Sequence, residues 1–348
     1  MTKNTLFKLS LLCVIFTCVV VVLGAFTRLV DAGLGCPDWP GCYGHLLWPS
    51  SADEVARAEA IFPEAPVEHD KTWPEMVHRY FASLLGLFII GLCVLMVRYK
   101  KRMSDPSAPV KLTFALLLLV ILQGAFGAWT VTLKLWPQVV TAHLLGGFTT
   151  LSLLWLLVQR LSSWHWRVAH ETHGRLQSLK PWVWFVFVLV VLQITLGGWT
   201  STNYAALACV DFPKCHAKWW PQADFAQGFN IFQQVGPNYL GGLLDNHART
   251  AIHLTHRIGA LIVTVSSLFF IWRLCMIAYR PTRRLAYILL AVLIAQVSLG
   301  ISNILFALPL WVAVAHNAFG AVLMLTLVTI IHRLYTTRLT DRHQGKAL

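Results

Sequence analysis

Eight apolar runs, each about 18 to 25 residues and so long enough to cross a bilayer core, divide the chain. They lie near residues 9–27, 75–97, 112–131, 139–158, 182–200, 249–272, 285–303 and 311–331. The sequence therefore predicts an all-α integral membrane protein with eight transmembrane helices. Composition agrees. Of the 348 residues, 57% are hydrophobic and 12% charged, which no soluble globular domain of this length matches. The first run is too long, and too integrated with the rest, for a cleaved signal peptide.

A net charge of +13 could suggest nucleic acid, but the placement of the charges argues against it. Nineteen of the 28 basic residues fall on one set of segments: Lys3, Lys8, RYKKR at 98–102, Lys111, Arg160, Arg167, Arg175, Lys180, Arg273, Arg280, Arg283, Arg284, Arg333, Arg338, Arg342 and Lys346. Basic residues collect on the cytoplasmic side, so both termini are expected inside and the loops near 28–73 and 201–248 outside. The membrane implied is a bacterial-type inner (cell) membrane.

The outward loops carry Cys36 and Cys42 in CPDWPGC, and Cys209 and Cys215 in CVDFPKC. Both pairs lie in the expected oxidising compartment, and the turn-rich spacers can close a bridge within each pair. Cys13, Cys18, Cys93 and Cys275 lie in apolar runs and read as small core or lipid-facing hydrophobes. Residues 50–71 read as a loop or short surface helix. HETH at 170–173 reads as a solvated connection, because nothing near it completes a metal site.

An internal repeat organises the chain. Gly24 and Gly197, Cys36 and Cys209, Cys42 and Cys215, Gly127 and Gly300, and His143 and His316 are each 173 positions apart. His78 and His256 are 178 apart, which places extra residues in the second outward loop. The chain is expected to be two parallel four-helix repeats with pseudo-twofold symmetry: residues 1–160, a cytoplasmic linker at 161–180, and residues 181–348. LQGAFGAWT at 122–130 and LQITLGGWT at 192–200 also match. Their small residues suit either close helix packing or close approach to a flat cofactor.

His78, His143, His256 and His316 each open an even-numbered span, roughly 8–12 Å below the outer interface. One such histidine could simply bond a neighbouring helix, but four at one depth, paired by the repeat, point to ligands. A structural zinc site needs four ligands, and no cysteine lies at that depth. Haem iron takes two axial ligands, which neutral imidazoles supply, so His78 with His143 and His256 with His316 predict two haem sites.

Arg79 and Arg257 follow His78 and His256 directly and are expected to bind haem propionates. Arg28 and Arg249 fit either that role or snorkelling to headgroups. Glu75 lies one turn before His78 and shares its face, whereas the matching position holds His253. A carboxylate beside one site only suggests chemistry at the first site and electron storage or relay at the second. The plainer reading is a first-turn acid favoured by the helix dipole.

EMVHR at 75–79, TAHLLGG at 141–147, THRIGA at 255–260 and VAHNAFG at 314–320, together with a cysteine pair in one outer loop of each half, resemble the haem A synthase family. The resemblance runs from Gly24 to about His332. It implies oxidation of the C8 methyl of haem O to a formyl group, through a hydroxymethyl stage, to supply haem A to haem-copper oxidases beside haem O synthase. It also implies substrate haem O at His78 and His143, Glu75 as the catalytic carboxylate, resident haem B on His256 and His316, and disulfides at both cysteine pairs. Rival readings are a bis-histidine quinol cytochrome, a haem transporter or chaperone, and a thiol–quinone oxidoreductase. The cysteine spacing is unlike redox CxxC and counts against the last. The electron donor is not legible.

Overall fold

Apolar runs bounded by proline, capping residues and arginine fold as the sequence predicts. The computed structural model of the protein describes residues 2–162, 164–233 and 235–340, so Arg342 and Lys346 lie outside it. In chain order the elements are α1 (Lys3–Leu29), α2 (Ala52–Ile61), α3 (His69–Met103), α4 (Val110–Thr132), α5 (Pro137–Leu161), β1 (Arg167–Val168), α6 (His170–Gln177), α7 (Lys180–Thr202), α8 (Phe225–Gly228), α9 (Asn246–Cys275), α10 (Arg280–Leu305), α11 (Leu310–Thr336) and β2 (Arg338–Leu339). Eight spans among the described residues are long and apolar enough to cross a membrane. They are carried by α1, α3, α4, α5, α7, α9, α10 and α11.

Local chemistry sets the helix ends. Asp245 caps α9 by accepting the Ala248 N–H at 2.7 Å. Proline occupies the first turn of α5, α7 and α10, where its missing N–H costs nothing. Ser51 and Glu54 form a capping box that starts α2, so residues 50–71 do contain a short surface helix. Inside the spans, threonine hydroxyls fold back onto their own helices, as Thr17 does to the Cys13 carbonyl at 2.7 Å and Thr326 to Val322 at 2.8 Å. Polar groups are thereby satisfied without water.

Two cores hold the bundle. One packs Leu6, Leu85, Leu116 and Leu154 from α1, α3, α4 and α5. The other packs Val183, Phe270, Leu289 and Leu327 from α7, α9, α10 and α11. Lipid is as apolar as leucine, so close packing and cross-helix bonds hold such helices together more than escape from solvent does. One such bond, from Trp155 Nε1 to Thr329 Oγ1 at 2.8 Å, joins α5 to α11.

Backbone features recur at the 173-residue spacing seen in the sequence. Trp39–Pro40 and Phe212–Pro213 are both cis. Left-handed residues match in pairs: Asp31 with Tyr204, Tyr43 with His216, Lys134 with Ala307, and Leu135 with Leu308. Gly44 at φ 75° corresponds to Ala217 at φ 60°, so an alanine adopts the same turn. Bridges Cys42–His45 and Cys215–Lys218 close both loops alike.

At the opposite, arginine-rich face, the connection after α5 is more structured than the solvated loop expected. β1 pairs in parallel with β2, and Glu171 bonds Arg175 within α6 at 2.8 Å. His173 of the HETH stretch bonds Gln177, not a metal cluster. Cys13 and Cys93 are buried, Cys18 is exposed and Cys275 is intermediate.

Candidate functional site

His143 and His316 lie about two turns into α5 and α11, and His78 and His256 about three turns into α3 and α9. His78 and His143 are within electrostatic range of one another, as are His256 and His316. The structure thus brings together the pairs that the sequence predicts.

Each ring lies against a glycine of another helix. A Cβ added at Gly24, Gly127, Gly197 or Gly300 would stand 2.8, 3.6, 3.3 or 3.0 Å from Cε1 of His78, His143, His256 or His316 respectively. Any side chain at Gly24 or Gly300 would therefore displace the ring. The sequence marks these glycines as repeat partners but does not show which histidine each one faces.

The two pairs differ in how the rings are held. In the second pair, the Gln193 amide nitrogen contacts His256 Nδ1 at 3.0 Å, and His316 Nδ1 contacts the Gln296 carbonyl oxygen at 3.2 Å. Engaging Nδ1 orients a ring so that Nε2 can face a ligand. In the first pair, His143 Nδ1 is buried without a hydrogen-bond partner, and His78 lies against the Val20 backbone with no hydrogen bond of normal geometry at Nδ1. Gln193 lies in the LQITLGGWT stretch, and both glutamines stand four residues before a repeat glycine, Gly197 or Gly300, which is the signal that could have flagged them. All four rings are partly exposed, unlike the buried His253. Four part-open imidazoles at membrane depth, two without a normal hydrogen bond at Nδ1, fit axial ligands of haem.

Above each pair sits a disulfide loop, and both cysteine pairs are bonded. Asp38 accepts the N–H groups of Tyr43 and Gly44, and Asp211 accepts those of His216 and Ala217. The Ala217 N–H, followed by that of His216, holds the Asp211 carboxyl below the usual carboxylate range. Exposed His216 lies near Cys209 and Cys215, but the disulfide leaves no thiolate for a metal there.

The arginines hold the loops. Arg79 Nη2 pairs with the Glu75 carboxylate, and Nη1 donates to the Asp38 and Gly41 carbonyls at 3.0 and 2.7 Å. Arg257 donates to the Cys209 and Lys214 carbonyls at 2.7 and 2.9 Å, and its Nε lies 3.2 Å from His253 Nε2. Both arginines clasp the disulfide loop to its helix. Arg28 donates to the Ser201 carbonyl at 2.6 Å and stacks 4.3 Å over the Tyr204 ring. Arg249 donates to the Leu244 and Gly241 carbonyls, both at 2.9 Å.

Glu75 and His253 play one architectural part. The Glu75 carboxylate accepts the Cys36 N–H at 2.9 Å, and His253 Nδ1 accepts the Cys209 N–H at 3.3 Å. Both residues are 4% exposed, so a buried N–H finds its acceptor in either half.

Closing either loop constrains the unfolded chain by about 2 kcal/mol. Unreduced peptide mapping of protein from its native membrane should recover the 36–42 and 209–215 links. Free thiols at all four positions would contradict the pairing.

Eight spans with two paired-histidine sites, each under a clasped disulfide loop, define a multi-pass membrane protein built around two part-exposed imidazole pairs. Residues 7–328 match a family model described as cytochrome oxidase assembly protein. The chain is 46% identical over 321 residues to the haem A synthase of Shewanella oneidensis, covering 92% of this chain and 94% of that protein. It is 28% identical to the haem A synthase of Sphingopyxis alaskensis, covering 91% and 88%, and 26% identical to that of Chelativorans sp., with the same coverage. The chain belongs to the haem A synthase family of cytochrome oxidase assembly proteins.

Proposed function

We propose that the chain oxidises the C8 methyl of haem O to a formyl group, through a hydroxymethyl stage, and so makes haem A for haem-copper oxidases. The observation that carries this is the pair of imidazoles in each half, each ring seated on a glycine, in a chain 46% identical to a haem A synthase. Formally the conversion removes four electrons and four protons from the methyl group and one water.

Residues 1–160 form the substrate half and 181–348 the resident half, joined by 161–180 and related by a twofold axis along the membrane normal. Separate cores and the recurring backbone turns support that division. His256 and His316 hold haem B, which supplies a one-electron centre when bound. Their Nδ1 contacts to Gln193 and Gln296 suit rings that are fixed in place. His78 and His143 face haem O. Nδ1 atoms without a normal hydrogen bond suit a site that must accept one haem and release another. Glu75 is the only carboxylate one turn from a ligand histidine and serves as the proton acceptor. Arg79 and Arg257 keep the loops closed over the haem edges, and any propionate contact is a further partner for their five N–H donors.

The arginine-rich face is cytoplasmic, with both termini, and the membrane is the bacterial inner membrane. Haem O synthase supplies the substrate.

Haem extracted from purified protein, separated by chromatography and weighed, tests the reading. Haem B together with haem O or its oxidised products is expected. The shared role of Glu75 and His253 as loop acceptors favours a second reading, a quinol cytochrome with two equivalent sites. That protein would yield haem B alone.

A further inference from the structure

The two histidine pairs come from one repeat, yet a side chain that holds a ring in the second half has no counterpart in the first. On α7, Gln193 stands one turn before Gly197, and both lie against His256. The Gln193 amide nitrogen contacts two atoms of that residue, Nδ1 at 3.0 Å and the backbone carbonyl oxygen at 2.9 Å. Among the described residues the side chain makes no other hydrogen bond. An amide carries both a donor and an acceptor, so it can bond Nδ1 in either tautomer of the ring.

The amide also needs room, and Gly259, one turn beyond His256 on α9, leaves it. A Cβ added at Gly259 would stand 2.2 Å from Gln193 Oε1, far inside ordinary contact. Any side chain at 259 would therefore push the amide off His256.

The first half differs at both positions. The 173-residue offset pairs Gln193 with Val20 on α1, and the 178-residue offset that joins His78 to His256 pairs Gly259 with Phe81 on α3. Gly24, one turn after Val20, lies against His78 as Gly197 lies against His256. Val20 has no polar side-chain atom, so it offers His78 only its backbone. Phe81 puts a ring where Gly259 leaves space, and it stacks on Phe16 of α1 with centroids 5.4 Å apart. The two differences go together: the second half has the amide and the room for it, and the first half has neither.

We propose that Gln193, seated on Gly259, is the positioning residue that makes the C-terminal pair keep its haem, whereas Val20 and Phe81 leave the N-terminal pair free to exchange one haem for another. This rests on the reading that His256 and His316 hold haem B.

Haem loss from the purified full chain to excess apomyoglobin tests it, together with the low-spin paramagnetic resonance signal of the bound b-type haem. Gln193→Val, which installs the residue of the first half, should speed haem loss by about 10–100-fold, as loss of a partner behind a ligand histidine does. It should also shift the resonance signal, because the His256 ring is no longer held in one orientation. Gly259→Ala should do the same by displacing the amide. Alanine favours helix over glycine, so its effect cannot come from weakening α9. In the double variant valine leaves space for the alanine, and the two losses should not add. Helical circular dichroism and the melting temperature report the fold of each variant. Unchanged haem loss in Gln193→Val, full retention in Gly259→Ala, or additive losses in the double variant would overturn the proposal while leaving the haem B reading intact. A parental chain without a b-type spectrum, or with one that His256→Ala leaves in place, refutes that reading itself, and the proposal falls with it.

Discussion

His256→Ala or His316→Ala is expected to abolish the low-spin b-type haem spectrum of the purified protein. Each change would delete one of the two axial ligands proposed for the C-terminal half. The Gln193 amide and the Gln296 carbonyl contact Nδ1, so they orient the rings and cannot substitute for them. Alanine at either position also removes the ring that packs against Gly197 or Gly300. The disulfide loop should survive His256→Ala, because Arg257 and His253 hold it independently. The spectrum should therefore be lost without loss of fold. An unchanged bis-imidazole spectrum with haem retained in both variants would overturn the ligand assignment.

How much of this was legible before the structure depends on the range of each interaction. The eight spans were readable because the bilayer demands a long apolar run wherever a helix crosses. The repeat was readable because Cys36, Gly127 and His143 recur at one fixed offset. Short elements were harder to read: α2 and α6 depend on a capping box and one ion pair, signals of only a few residues. The glycine seats were visible as residues but not as contacts, since Gly24 and His78 meet only after α1 and α3 pack together. The loop contacts of the arginines were hidden for a related reason. An arginine beside a ligand histidine reads the same whether or not it also holds loop carbonyls, as Arg79 does.

The contacts of Arg79 sharpen the test of Glu75. Its carboxylate bonds the Cys36 N–H and pairs with Arg79, so a simple truncation would loosen the loop and confuse structure with chemistry. Two substitutions separate them. Glu75→Gln keeps an amide oxygen for the Cys36 N–H while removing the charge. Glu75→His copies the other half, where His253 accepts the Cys209 N–H beside Arg257. In both variants Arg79 retains the Asp38 and Gly41 carbonyls, so the loop clasp should persist. On the proposed reading methyl oxidation releases protons beside His78 and His143, and neither replacement restores a carboxylate to take them. Haem A formation should fall by the roughly 10²–10⁴-fold of a lost general base, with haem O or the hydroxymethyl product accumulating. The b-type spectrum of the C-terminal half should not change. If Glu75→His forms haem A at the parental rate, Glu75 serves the loop as His253 does and the proton acceptor lies elsewhere. A fall in activity accompanied by free thiols at Cys36 and Cys42 would likewise assign its role to the loop. Loss of haem A with the disulfide and the b-type haem both intact is the outcome that only a catalytic carboxylate produces.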